Sequence, residues 1–377
     1  MILSNQKELF QIPDDVTFLN CANMSPLLKS VNEAGIHSLN KRNRPWTMDN
    51  YEWFGAPEHL RELFGVLINS DKEHIALIPS VSYGMAIAAK NIKLKAGQNI
   101  LLLDRQFPSN VYAWRELSRR TGAKIITVKK LDHQSWTDAI LENINETTGV
   151  IAIPNCHWTD GGLIDLEPVS AAARKVNAKL VIDASQSLGV FPFDVQKIQP
   201  DFLITVGYKW LLGSFNIAFL YASDEFCDTG IPIEFANLNR AGSEDFSKLA
   251  YYDEYKPGAR RFDAGESSSF IHVEMAISGL TQILKWGVEN IQETLSVLTD
   301  RLSQKAAIAG LETTAQPRVG HIVGLKISEE KVVELSKKLI ENKIYISFRG
   351  TTMRVAPHLY NHQNDIDRLL ECLTKLI

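Results

Sequence analysis

Short apolar runs alternate with longer amphipathic stretches over most of the chain. The runs His74–Pro79, Asn99–Leu103, Lys124–Val128, Gly149–Pro154, Lys179–Asp183, Asp201–Val206 and Ile217–Tyr221 are rich in Val, Ile and Leu. Runs of this length and nearly continuous apolar character predict strands covered on both faces. Between them, Ser82–Asn91, Val111–Thr121, Ser135–Asn145 and Glu167–Asn177 carry helical spacing. The alternation predicts an α/β fold, a three-layer α/β/α body around a mainly parallel, seven-stranded sheet.

The pattern changes at about residue 228. The stretch 228–265 is polar, aromatic and dense in turn residues, and reads as a long surface excursion. Beyond it, Phe270–Lys285 and Val288–Gly310 predict long helices. Gly320–Ile327, Glu329–Asn342, Ile344–Phe348 and Asp365–Leu376 then predict strand, helix, strand and helix. The expected organisation is an N-terminal segment over residues 1–25 that lines the site, a large domain over 26–260, and a smaller C-terminal α+β domain over 261–377 that includes the connecting helix.

Composition narrows the class. The 377 residues suffice for two domains. Forty Lys and Arg against 44 Asp and Glu give a net charge of -4, which disfavours a nucleic-acid partner. No apolar run approaches the ~18 residues that a membrane span requires. The opening MILSNQKELFQIPDD has acidic residues and no apolar core, so it does not read as a secretion signal. Four scattered cysteines without a CxxC pair fit reduced thiols in a cytoplasmic protein. His157 beside Cys156 has no further ligands at metal spacing, so no metal is expected.

The chemistry concentrates between Lys179 and Tyr221. A buried strand ends at Asp183, and the next runs into Gly207-Tyr208-Lys209-Trp210. A carboxylate and a lysine thus emerge at the carboxyl edge of neighbouring strands, where open α/β sheets place ligands. A desolvated lysine loses basicity and becomes nucleophilic towards carbonyls. An aldehyde cofactor held by Lys209 would need an anion such as Asp183 to keep its pyridine nitrogen protonated. A structural Asp–Lys pair is the other reading of these two residues alone. Pro79-Ser80-Val81-Ser82-Tyr83-Gly84 follows a strand and opens a helix, a ready phosphate cradle, with N-capping by Ser80 or Ser82 as the plainer role. No G-x-G-x-x-G follows the first strand, which argues against a dinucleotide-dependent oxidoreductase.

Asp183, Gln186 and Lys209, with LNCANMSPL (Leu19–Leu27) at one end and MRVAPHLYNHQNDIDRL (Met353–Leu369) at the other, resemble the pyridoxal-phosphate-dependent enzymes of fold type I. Within them the chain resembles the class V aminotransferase group, which also holds cysteine desulfurases, kynureninase and isopenicillin N epimerase-like proteins. The resemblance implies an aspartate aminotransferase-like fold, pyridoxal 5'-phosphate as cofactor and a small amino acid or amine as substrate. It makes Lys209 the Schiff-base lysine, Asp183 the partner of the pyridine nitrogen and Gln186 a donor to the phenolic oxygen. Val81, Ser82 and Tyr208 take phosphate contacts, and Phe107 in Gln106–Asn110 stacks on the ring. Thr159 and Trp158 are candidates for the phenolic oxygen or the substrate. Arg354, and second to it Arg349, would grip a substrate carboxylate, with Asn23 and Ala22 lining the same pocket. Gly265–Ser268 corresponds to a segment that relatives send into a partner's phosphate site, implying a homodimer with shared sites.

The implied activity is aminotransfer. A lyase, a kynureninase-like hydrolase or an epimerase are the alternatives within the group, and an inactive scaffold the alternative outside it. Keeping Asp183, Gln186 and Lys209 together argues against the scaffold. Cysteine desulfuration is disfavoured because the loop Ile344–Thr352 holds no cysteine.

Overall fold

The computed structural model describes residues 1–374 of the chain. After a short strand β1 (Thr17–Phe18), seven strands build the main sheet: β2 (Ile75–Ile78), β3 (Asn99–Leu103), β4 (Lys124–Val128), β5 (Thr148–Pro154), β6 (Lys179–Asp183), β7 (Phe202–Val206) and β8 (Ala218–Ala222). Their order across the sheet is β2-β8-β7-β6-β5-β3-β4. Every apolar run read from the sequence is one of these strands, within a residue at either end.

Both faces are buried along every strand except β4, which lies at the sheet edge and is half-open to solvent. Alternate residues point to opposite sides of each strand. Leu101, Ile151, Ile182 and Leu203 join one core with Leu60, Val169, Val273 and Leu280 from helices, whereas Leu102, Val150, Val181 and Ile204 join the other with Met85, Trp114 and Leu117. Only β8 runs against its neighbours. Its connection to β7 contains no crossover helix, and Gly207 N–H donates to the Ile217 carbonyl at 2.9 Å. A parallel return needs a crossover of a dozen residues or more, so this loop yields an antiparallel pair.

The C-terminal sheet is antiparallel, in the order β11-β12-β9, from β9 (Val323–Lys326), β11 (Ser347–Arg349) and β12 (Thr352–Val355). The run expected as one strand, Ile344–Phe348, divides. Its first part is β10 (Ile344–Tyr345), which pairs in parallel with β1, and its second enters β11. Helices Glu329–Glu341 and Gln363–Thr374 cover this sheet through Leu335, Leu339, Ile366 and Leu369. Of the helix expected over Asp365–Leu376, residues 375 and 376 lie outside the described residues. Helix Phe270–Trp286 packs along Lys29–Lys41 and Ala56–Ile68.

The stretch 228–265 follows the surface but is anchored at its end. Asp263 receives a two-pronged pair from Arg61, with both side chains buried, and its carbonyl accepts from Asn239 Nδ2. No helix among the described residues is long and apolar enough to cross a membrane. Nor does any group of three or more His, Cys, Asp or Glu among them form a metal site.

Candidate active site

Strands β3 and β5 are neighbours whose onward connections leave in opposite directions, to β4 and to β6. Such a reversal opens a crevice at the carboxyl ends of the strands. A cleft lies there, bounded by residues at or just past the ends of β2, β3, β5, β6 and β7. Val81, Ser82, Phe107, Asp183, Gln186, Tyr208 and Lys209 all line it.

Two glycines bring the lysine loop into place. A Cβ on Gly207 would stand 2.8 Å from the Ile217 carbonyl oxygen, so the neck of the loop closes only without a side chain. Gly189 has φ +92°, and a Cβ there would lie 2.5 Å from the Trp210 carbonyl oxygen. The loop after Asp183 therefore rests directly on the lysine loop. Gln186 ties the two together: its Oε1 accepts from Trp210 Nε1 at 3.0 Å, and its Nε2 donates to the Ala22 carbonyl at 2.9 Å. Ser25 N–H donates to the Tyr208 carbonyl, so the N-terminal segment braces both loops.

Lys209 is 7% exposed, and among the described residues no hydrogen bond or ion pair takes up its amine. The Phe107 and Tyr208 rings lie 5.4 and 5.8 Å from Nζ. Burial pushes the amine down to about 8 against the pull of the Asp183 carboxylate, and the nearby Arg354 and Arg349 charges push the same way as burial. Burial also raises Asp183 above the usual carboxylate range, opposed by hydrogen bonds from Ser185 and by Lys209. On both partners, removal from water outweighs their mutual attraction.

At the mouth of helix Val81–Asn91, Ser80 Oγ accepts from Tyr83 N–H at 3.2 Å and lies 3.0 Å from Ser82 Oγ. That cap leaves the Val81 and Ser82 N–H groups without intrahelical partners, as in any first turn.

Other expected residues fall elsewhere. Thr159 does not line the cleft, because its hydroxyl is drawn to His157 Nδ1 at 2.7 Å. Trp158, the neighbouring candidate, does line it, edge-on to Phe107 at 5.3 Å. Asn23 is exposed and outside the lining: the turn Asn20–Asn23 buries Cys21 and Ala22 and offers the Ala22 carbonyl to Gln186, while Asn23 faces outward. Arg354 and Arg349 are not among the lining residues but sit against the ring of Trp158, which is, at 5.9 and 5.2 Å, close enough for their charges to act on Lys209. Arg354 is 1% exposed; its Nη1 donates to the Trp158 carbonyl, whereas Nε and Nη2 have no partner. Burial pushes its guanidinium down to about 9, helped by Arg349. Gly265–Ser268 lies in a separate groove with Trp53 and Phe246, where Ser268 Oγ donates to the Trp53 carbonyl.

The sequence reading passed over Phe215 and Asn216, which also line the cleft. The Phe215 ring is 4.6 Å from Tyr208, and Asn216 has φ +66°. An Asn between two apolar residues just before a strand was the available signal, because Asn tolerates the left-handed region.

Comparison with known proteins agrees with this geometry. A family profile described as Aminotransferase class-V matches residues 50–369. An uncharacterized aminotransferase, YcbU, of Bacillus subtilis is 26% identical over 97% of this chain and 95% of its own. A probable cysteine desulfurase of Pyrococcus abyssi is 24% identical over 85% of this chain and 83% of its own. A kynureninase of Bacillus cereus is 24% identical over 93% and 83%. Among solved structures, the apo cysteine desulfurase of Thermococcus onnurineus superposes with a TM-score of 0.87 at 19% identity, covering 100% of this chain and 99% of the other. The fold is that of the fold type I pyridoxal-phosphate enzymes. The chain belongs to the class V aminotransferase family, and its cofactor is pyridoxal phosphate.

The residues present fit that group. An unpartnered amine of lowered basicity suits its aldehyde, and a buried carboxylate in the same cleft suits its ring nitrogen. Unpartnered N–H groups at a helix N-terminus suit its phosphate, and the flat face of Phe107 suits its ring.

Proposed function

We propose that the protein is an aminotransferase acting on a small amino acid or amine, with pyridoxal phosphate held in the Lys209 cleft. The observation that carries this reading is the buried, unpaired Lys209 amine in one cleft with the buried Asp183 carboxylate. Bound there, the cofactor supplies an aldehyde that condenses with amines and a ring that takes up electrons released at the substrate Cα. Lys209 anchors the cofactor at rest. Once freed, its Nζ takes the proton from Cα and returns it at the position that completes amino transfer. Asp183 keeps a proton on the ring nitrogen, and Gln186 offers the phenolic oxygen the N–H that its bond to Ala22 leaves free. Val81, Ser82 and the Tyr208 hydroxyl hold the phosphate, Phe107 covers the ring, and Arg354 binds the substrate carboxylate through Nε and Nη2.

Desulfuration is not supported. The loop Ile344–Thr352 has no thiol, and burial raises the Cys21 and Cys156 thiols well above their ordinary range, which leaves them unreactive. We further propose a homodimer that meets at the groove of Gly265–Ser268, where half-exposed Trp53 and exposed Phe246 favour a covering partner. Sedimentation at several protein concentrations tests it, and a monomer throughout would refute it.

The functional test is direct. Protein supplied with pyridoxal phosphate should turn yellow, and borohydride should fix the cofactor on Lys209, as mapped by peptide mass spectrometry. A panel of amino donors with 2-oxo acids should then give new amino acids. Release of alanine from cysteine, or cleavage of kynurenine, in place of amino transfer would refute the assignment.

A further inference from the structure

Strands β11 and β12 form a hairpin whose register decides which side chains share a face. Ser347 pairs with Arg354, Phe348 with Met353, and Arg349 with Thr352. Phe348 and Met353 turn into the C-terminal core. The opposite face therefore carries Ser347, Arg349 and Arg354, with Arg349 diagonal to Arg354. Diagonal neighbours lie roughly 7–8 Å apart, close enough for one small molecule to bridge both guanidinium groups.

This face is left unsatisfied. Arg354 Nε and Nη2, Arg349 Nε and Ser347 Oγ are all buried without a hydrogen-bond partner. Arg354 spends only Nη1, on the Trp158 carbonyl, and Arg349 only Nη1, on the Phe348 carbonyl. Neither arginine has a carboxylate partner among the described residues. Both press on one indole ring, Trp158, which lines the cleft. The buried Arg354 guanidinium is costly to hold without an anion, and half-buried Arg349 sets a second positive charge beside it. One substrate carboxylate on Arg354 would leave Arg349 and Ser347 still open. A guanidinium favours the two-pronged geometry of a carboxylate, which argues for that anion at both places.

We propose that the substrate is an α-amino dicarboxylate, its α-carboxylate held by Arg354 and its side-chain carboxylate by Arg349 and Ser347. This rests on the functional reading above and narrows it to a substrate class.

The test titrates the bound-cofactor absorbance of the holoenzyme with L-aspartate and L-glutamate, each against its amide, L-asparagine or L-glutamine. A second readout is the thermal shift given by succinate and glutarate against butyrate. The expected result is a dissociation constant at least tenfold lower for each acid than for its amide, with a larger thermal shift for the dicarboxylates. Arg349→Gln should bring the acid-to-amide ratio close to one, and Ser347→Ala should lower it about threefold, which keeps the test open if the arginine variant does not fold. Amides that bind as tightly as the acids, or an Arg349→Gln protein with the ratio intact, would overturn the proposal. So would tighter binding of O-phospho-L-serine or L-cysteate than of both dicarboxylates. A protein that takes up no pyridoxal phosphate would sink the functional reading and this proposal with it, whereas a yellow protein that prefers amides sinks only the latter.

Discussion

The basicity of Lys209 is the property on which the site turns, and it can be measured without substrate or cofactor. Burial holds this amine at about 8 instead of 10.5. At pH 7 about one Lys209 in ten is then neutral, against about one in 3,000 for an ordinary lysine. Competitive labelling with acetic anhydride, read peptide by peptide by mass spectrometry, should give Lys209 a reactivity midpoint near pH 8 while surface lysines continue to rise past pH 10. Two variants should move that midpoint in opposite directions. Arg354→Gln removes a charge that depresses the lysine, so the midpoint rises. Asp183→Asn removes the charge that opposes burial, so the midpoint falls. A Lys209 midpoint at 10 or above, or shifts of the same sign in the two variants, would refute the reasoning.

The same displacement fixes a stability effect of known sign. The folded protein holds Lys209 below its unfolded value, so folding strains against the proton at every pH below about 8. The penalty fades between about 8 and 10.5, as the unfolded chain alone retains the proton, and is gone above that window. Its full size is of order 3 kcal/mol. Lys209→Met should therefore stabilise the cofactor-free protein by up to about 3 kcal/mol at pH 7 and by much less near pH 10.5, as read from urea midpoints. An equal gain at both pH values would point to packing rather than charge.

Three further outcomes follow from packing. Gly189→Ala adds a Cβ 2.5 Å from the Trp210 carbonyl oxygen at φ +92°, and should lower stability by about 2 kcal/mol or more; an unchanged urea midpoint would contradict the contact. Arg61→Ala strands Asp263, buried and anchoring the end of the 228–265 stretch. The expected loss is about 3–5 kcal/mol, with earlier proteolysis in that stretch as the local readout. Phe107→Ala removes the flat face nearest Lys209 and should weaken cofactor retention by about two- to tenfold, in line with about 0.5–1.5 kcal/mol for an aromatic contact beyond its buried area; retention equal to the parent would remove Phe107 from the site.

The main sheet was legible because its strands, the edge strand β4 apart, are buried on both sides, which leaves an uninterrupted apolar signature such as NILLL or KLVID. Strand direction was not, since β8 reads like its neighbours and only its short connection makes it antiparallel. In the C-terminal sheet, Thr352–Val355 escaped notice because its arginine breaks the apolar run. The side of the cleft proposed to hold the cofactor follows from local order: Asp183 and Lys209 stand at or just past the ends of adjacent strands, and a βα turn brings in Val81 and Ser82. Thr159 and Trp158 could not be ranked from sequence, because tertiary hydrogen bonds hold them, Thr159 to His157 and Trp158 Nε1 to the Arg105 carbonyl.

The substrate side is harder to read for a definite physical reason. Arg349 and Arg354 are five residues apart, an odd spacing that puts them on opposite faces of one continuous strand. The hairpin between them reverses the chain, and its register, Ser347 against Arg354, returns both to the same face. A tight turn at Gly350, with φ +60°, sets that register. Replacing or lengthening this turn by one residue would invert the face on which Arg349 lies while leaving every side chain of the chemistry present. On the proposed substrate assignment, selectivity thus rests on a backbone parity that neither arginine reveals alone.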